Sequence, residues 1–142
     1  MNICDIMTGN VISIGEDEPV LAAARLLKRN NIGSVPVHDG RGKLRGMLTD
    51  RDIVLRCVAS EADPKTVRVG EIMSRSLVTV NPFDSANAAA ERMASNQIRR
   101  IPVTDNGMLV GIVSLGDLAR NDDFEMEAAE ALSEISSNFR KN

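Results

Sequence analysis

Gly46-Met47-Leu48-Thr49-Asp50-Arg51-Asp52-Ile53 decides the fold, because it returns as Gly111-Ile112-Val113-Ser114-Leu115-Gly116-Asp117-Leu118. Each copy runs glycine, two apolar residues, a hydroxyl, two variable residues, an aspartate and an aliphatic. A short apolar run ending in Thr or Ser and opening an amphipathic segment predicts a strand that delivers its last hydroxyl to a helix N-terminus. Two readings of that step stand side by side. In one, free N–H groups and the positive end of the helix dipole favour a phosphate. The aspartate then accepts hydrogen bonds from a ribose diol, as the acidic residue of dinucleotide-binding folds does. In the other, Thr49 with Asp52 and Ser114 with Asp117 are a variant of the capping box, worth about 1 kcal/mol and needing no ligand.

Working outward, the echo extends over most of the chain. Ile6-Met7-Thr8 recurs as Ile72-Met73-Ser74, and in that register of 66 residues Ala22-Ala23-Ala24 meets Ala88-Ala89-Ala90. Asn30 meets Asn96, Ile32 meets Ile98, and Pro36-Val37 meets Pro102-Val103. One residue drops out between Asp39-Gly40-Arg41-Gly42 and Asp105-Asn106-Gly107, after which the register is 65. A duplication whose gap falls in a turn is the pattern of two structural copies.

Each copy reads β-α-β-β-α. Val11-Ile12-Ser13-Ile14 and Leu77-Val78-Thr79-Val80 predict the first strands. Pro19 suits a first helical position and Asp84 an N-cap, while Asn30-Asn31 and Asn96-Gln97 end those helices. The prolines of Val35-Pro36-Val37 and Ile101-Pro102-Val103 predict edge or terminal positions on the next strands. Gly-rich turns complete hairpins, and the last helix of the first copy is expected to place Ile53, Val54, Cys57 and Val58 on one face. The fold class is therefore mixed α/β (α+β). A unit with one exposed sheet face predicts packing of the copies sheet to sheet about a pseudo-twofold axis. The expected division is copy one over 1–60, a polar linker over 61–69, copy two over 70–121, and an amphipathic C-terminal helix over 122–142. In that helix Phe124, Ala128, Leu132, Ile135 and Phe139 recur at steps of three and four.

Composition narrows the function. A net charge of −3 and an aromatic content of 2% give neither a field nor stacking platforms for nucleic acid. Cys4 and Cys57 match no metal or redox spacing, and no apolar run predicts a signal peptide or membrane span, so a cytoplasmic protein is expected. Nucleophilic catalysis needs a base beside the nucleophile, but the only histidine, His38, falls on a predicted strand before a turn and reads as structural, and Gly111-Ile112-Val113-Ser114-Leu115-Gly116 is one residue too long for a nucleophile elbow. Gly40-Arg41-Gly42-Lys43 lacks the Ser or Thr of a P-loop. No enzyme is predicted, and no metal site.

The duplicated pattern, its aliphatic-Pro-Val strands and its Gly-x-x-Thr/Ser-x-x-Asp steps resemble the CBS domain pair, also called the Bateman module, over residues 3 to about 121. Members of that family mostly bind adenosine compounds (AMP, ADP, ATP, S-adenosylmethionine, NAD or a cyclic dinucleotide) in clefts between the copies, and regulate an attached or associated protein. With no further domain in this sequence, it resembles the stand-alone bacterial members. The resemblance implies that Asp52 and Asp117 hold ribose hydroxyls and that Thr49 and Ser114 contact phosphate or ribose. It implies that Arg99 and Arg100 face phosphates, that Gly33 and Ser34 leave room for a purine, and that the backbone at Ser13 and Thr79 meets adenine. The site anchored by Asp117 would combine Arg99, Arg100 and Ser114 with Gly33 and Ser34. The first copy departs from this pattern. It has no cationic pair ahead of Val35-Pro36, so phosphate there would fall to Arg51 or to the helix terminus, beside the added charge of Asp50, or the cleft would stay empty.

The expectation is a non-catalytic sensor. An adenine nucleotide or S-adenosylmethionine is its regulatory ligand, no cofactor is required, and it forms a homodimer acting on an unknown regulated protein. The rival expectation is a ligand-free dimerisation scaffold whose Thr/Ser-x-x-Asp steps are only helix caps.

Overall fold

A computed structural model describes residues 1–120 and 132–135. Two compact units emerge: Ile12–Leu77, here the Thr49 unit, and Met1–Val11 with Val78–Asn142, here the Ser114 unit.

In the Thr49 unit, strands β1 (Ile14–Gly15), β2 (Ser34–His38) and β3 (Leu44–Thr49) form one sheet in that order. β1 runs parallel to β2, and β3 antiparallel to it. Helix α1 (Val20–Asn30) buries Val20, Ala23 and Leu27 against Val35, Val37 and Leu48. No side chain caps α1; instead Val20 N–H and Leu21 N–H donate to the Val67 and Pro64 carbonyls at 2.9 Å, so the 61–69 connection satisfies the first turn. α1 ends at Asn31, whose φ of 52° is the left-handed stop that Asn tolerates. Helix α2 (Asp50–Ile53) runs on into a π-turn, Val54–Val58. A short helix α3 (Val69–Ile72) completes the unit.

In the Ser114 unit, β4 (Arg100–Asp105) and β5 (Met108–Ser114) form a hairpin around Asn106 (φ 52°) and Gly107 (φ 81°). Helix α4 (Ala86–Asn96) buries Ala86, Ala89, Ala90 and Met93 against Ile101, Val103 and Val113, and ends at Gln97 with φ 55°. Helix α5 (Leu115–Ala119) follows β5. A 3₁₀ turn at Ile3–Asp5 buries Ile3 in the same core.

The echoed leaders Ile6-Met7-Thr8 and Ile72-Met73-Ser74 are exchanged between copies. Thr8 pairs with Ile112 on the hairpin of the second copy, and Ser74 pairs with Met47 on that of the first. Methionine lies over glycine at both junctions. A Cβ on Gly111 would meet Met7 Sδ at 2.5 Å, and one on Gly46 would meet the Ser74 carbonyl at 2.5 Å and Met73 Sδ at 2.8 Å. The glycine that opens each repeated motif is thus a packing requirement of the leader.

Several local expectations are corrected. Ser85, not Asp84, caps α4, its Oγ accepting from Ala88 N–H at 3.1 Å; Asp84 Oδ2 instead accepts from Asn81 N–H. Pro19 is the N-cap residue of α1, outside its first turn. The first strands are shorter than the β-rich runs: β1 covers only Ile14–Gly15, and in the second copy Val80 alone bridges to Val103. Pro36 lies on the middle strand. It is tolerated there because two-residue β1 begins pairing at Val37, so no ladder bond is asked of Pro36 on that side. Of the expected apolar face, Cys57 is buried and Ile53 partly so, whereas Val54 and Val58 are exposed, because the π-turn rotates them away from the core. Most of the expected 122–142 helix, including Phe124, Ala128 and Phe139, lies outside the described residues; 132–135 is helical, with Ile135 buried in the Ser114 unit core and Leu132 exposed.

Candidate functional site

Both hydroxyl–aspartate steps are complete capping boxes. Thr49 Oγ1 accepts from Asp52 N–H at 3.0 Å, and Asp52 Oδ2 accepts from Thr49 N–H at 3.0 Å. Ser114 Oγ accepts from Asp117 N–H at 3.1 Å, and Asp117 Oδ2 accepts from Ser114 N–H at 2.8 Å. Hairpin register brings the remaining candidates to the same end. Ser34 stands opposite Thr49, and Arg100 opposite Ser114. The carbonyl before each strand also ties down the helix start: Asp50 N–H donates to Gly33, and Leu115 N–H to Arg99, each at 2.9 Å.

Gly33, Ser34, Thr49 and Asp52 are therefore neighbours in one unit, and Arg99, Arg100, Ser114 and Asp117 in the other. Ser13 lies just before β1, half-buried. Thr79 lies just before Val80, and its carbonyl accepts from Arg92.

Each aspartate keeps one oxygen outside its cap. Asp117, with 8% of its side chain exposed, directs Oδ1 to the exposed Arg120. Asp52, 14% exposed, holds Oδ1 4.0 Å from Arg56 Nε. Arg56 also donates from Nη1 to the Ile72 and Met73 carbonyls at 3.0 and 3.3 Å, closing the C-terminal end of α3. These two arginines were missed by reading the motif alone; the i,i+3 and i,i+4 spacing from Asp117 and Asp52 was the available signal.

The charges around the two steps differ. Arg99 and Arg100 are exposed, and neither side chain has an ion-pair or hydrogen-bond partner among the described residues. Gly116 N–H, second in the turn of α5, likewise has none. In the Thr49 unit the corresponding Arg51 N–H donates to Asp50 Oδ1 at 2.8 Å, and a Cβ on Gly33 would lie 3.4 Å from Asp50 Oδ2. Elsewhere, His38 Nδ1 lies 2.9 Å from the Asp39 carbonyl and Cys57 Sγ donates to Ala62. No three His, Cys, Asp or Glu side chains converge as a metal site among the described residues. Among the described residues no helix is long and apolar enough to cross a membrane.

A tandem α/β repeat with a capped hydroxyl–aspartate step at the same end of each hairpin is a class of paired module. The CBS domain model matches residues 3–58 and 69–123, so the chain belongs to the CBS domain family. It is 45% identical over 135 residues to the CBS domain-containing protein YhcV of Bacillus subtilis, covering 95% of each chain. The crystal structure of hypoxic response protein I with two coordinated zinc ions is similar at TM-score 0.79 and 37% identity, over 85% of this chain and 98% of that one. The CBS domain pair of protein MJ0100, solved with 5′-methylthioadenosine and S-adenosyl-L-methionine, is similar at TM-score 0.72 and 29% identity, over 84% and 94%.

Proposed function

We propose that this chain is a non-catalytic regulatory module that binds an adenosine-containing ligand, such as AMP, ADP, ATP or S-adenosylmethionine, and signals its level to a protein partner as a cytoplasmic homodimer. The observation that carries the reading is the Asp117 carboxylate, nearly buried at the end of β5 in the same unit as two arginines that pair with nothing among the described residues. Adenosine ligands in the MJ0100 pair support the ligand class. In this reading Asp52 and Asp117 take ribose hydroxyls, Thr49 and Ser114 line the phosphate or ribose, and Arg99 and Arg100 neutralise phosphate. Gly33 and Ser34 leave room for the base, and the backbone at Ser13 and Thr79 contacts adenine. Binding alters the partner only through unequal affinity for two conformations. The zinc of hypoxic response protein I is not carried over, since no ligand set converges among the described residues.

One observation favours a second reading, the ligand-free scaffold: every atom of the Thr/Ser-x-x-Asp steps that a cap requires is already engaged in one. Calorimetry with AMP, ATP and S-adenosylmethionine separates the two, with Asp117→Asn as control because the amide oxygen still accepts from Ser114 N–H. We expect near-micromolar binding of at least one compound, about 8 kcal/mol, weakened tenfold or more in the variant. No heat and no rise in melting temperature at millimolar nucleotide would establish the scaffold instead.

A further inference from the structure

Each hairpin turn carries an acid or amide followed by glycine: Asp39-Gly40 in the Thr49 unit and Asn106-Gly107 in the Ser114 unit. Such a step is open to internal attack, because glycine leaves its nitrogen unhindered and lets the backbone rotate it onto the preceding side-chain carbonyl. The two steps are guarded unequally. Asp39 Oδ1 accepts from Arg41 N–H at 2.8 Å and from Lys43 N–H at 3.0 Å, which ties the carboxyl down and favours its ionised form, one with no good leaving group. Asn106 has no such tie. Neither its side-chain amide nor Gly107 N–H has a hydrogen-bond partner among the described residues. Both residues are exposed, and a Cβ built on Gly107 would meet nothing within 4 Å. Glycine follows asparagine nowhere else in the chain; every other asparagine with a residue after it precedes one that carries a side chain.

We propose that Asn106 is a site of spontaneous deamidation, a covalent modification whose only co-reactant is water. The Gly107 amide nitrogen gives up its proton to base and attacks the Asn106 side-chain carbonyl carbon. A new C–N bond forms, the bond to the side-chain nitrogen breaks, and ammonia leaves with a proton returned from solvent. The product is a five-membered cyclic imide. Water then opens it at the side-chain carbonyl to give aspartate, or at the main-chain carbonyl to give isoaspartate, either with one new negative charge. The turn accepts these products unequally. Aspartate fits the left-handed backbone of position 106, where φ is 52°. Isoaspartate routes the chain through its β-carbon, adding a backbone atom to a turn whose two residues set the pairing of Asp105 with Met108. A register shift already present between Val103 and Thr104 separates this tip from the rest of the ladder. Damage therefore stops at the tip, and Arg100 and Ser114, paired at the far end of the hairpin, keep their places.

The experiment incubates the whole chain in mildly alkaline buffer at physiological temperature and then digests it with trypsin, which releases residues 101–120 as one peptide. Wild type is compared with Asn106→Asp and with Asn106→Gly, since glycine accepts the same positive φ. Melting curves of the fresh proteins check that each is folded. We expect wild type to release ammonia and to gain one mass unit in that peptide faster than in all other asparagine-containing peptides together. An isoaspartate-specific carboxyl methyltransferase, used as a probe, should label the same peptide, with isoaspartate exceeding aspartate. Asn106→Gly should lose the mass gain and the label there. Asn106→Asp should release no ammonia from that peptide and melt with fresh wild type, whereas incubated wild type melts lower. Hydrogen exchange of the incubated protein should quicken over 104–109 and stay unchanged at Val113 and Ser114. Mass gain spread evenly over the asparagines, or label at Asp39 equal to that at Asn106, overturns the proposal. Faster exchange that reaches Ser114 overturns the confinement of the damage to the tip.

Discussion

In the Thr49 unit the turn after the hairpin is closed on itself, with Asp50 answering the Arg51 N–H and Arg56 reaching from Asp52 to the end of α3. In the Ser114 unit the same turn leaves Gly116 N–H, Arg99 and Arg100 without partners among the described residues, and only the exposed Arg120 attends Asp117. The caps themselves are alike, so the divergence lies in the residues around them. Duplication preserved what the backbone needs, a hydroxyl and an aspartate three apart, and released the flanking positions to differ. The capping chemistry and the flanking charge are thus written on different residues of one repeated step.

The sharpest way to break the comparison is at the two glycines. Gly46→Ala drives a Cβ against the Ser74 carbonyl, which is backbone and cannot step aside, whereas Gly111→Ala meets first the flexible Met7 side chain. Urea unfolding should register about 2–3 kcal/mol of loss at Gly46 and about 1 at Gly111. Equal losses would mean that the two leaders are seated equivalently. Next comes Arg56→Ala, expected to cost about 1–1.5 kcal/mol because two carbonyls of the α3 end lose a charged donor. Arg120→Ala should cost less than about 0.5 kcal/mol, as exposed pairs do. A reversed order in thermal melts would remove Arg56 as the clamp.

Thr49→Ala and Ser114→Ala probe what the units share. Each should lose about 1 kcal/mol, and a difference above the error of the unfolding fits would show the caps to be unequal despite matched geometry. The smallest effect concerns the hairpin turns. Asp39 accepts from Arg41 N–H and Lys43 N–H at 2.8 and 3.0 Å, which holds its carboxyl below the ordinary value of 3.8. A folded pKa below the unfolded one means the stabilisation is complete above 3.8 and fades as pH falls through the lower folded value. Asp39→Asn should flatten that acid slope slightly in melting curves. The second hairpin turns through the positive φ of Asn106 and Gly107. An acid slope that survives Asp39→Asn would assign the effect to another carboxylate.

Much of this was legible because periodicity and spacing are local properties. The β-α-β-β-α order, the helix ends at Asn31 and Gln97, and the hydroxyl–aspartate steps follow from residues within a few positions of one another. What the sequence could not reveal depends on distant partners. The seat of Met7 on Gly111 joins segments about a hundred residues apart, and Pro36 suits a middle strand only because its parallel neighbour is two residues long. The exposed Val54 and Val58 escaped a 3.6-residue reading because the π-turn changes the period beneath them. Of the candidate site, the capping pairs Thr49 with Asp52 and Ser114 with Asp117 were readable, whereas the arginines beside those aspartates and the engagement of Asp50 with the turn needed coordinates.

The exchanged leaders also impose an order on synthesis. Everything the Thr49 unit needs has left the ribosome once Leu77 emerges, so it can close at once. Thr8 must instead wait for Ile112, a delay of roughly 5–20 s at ordinary elongation rates. Through that interval Thr8 lacks its partner on β5, and it takes its place only after the Thr49 unit can have closed.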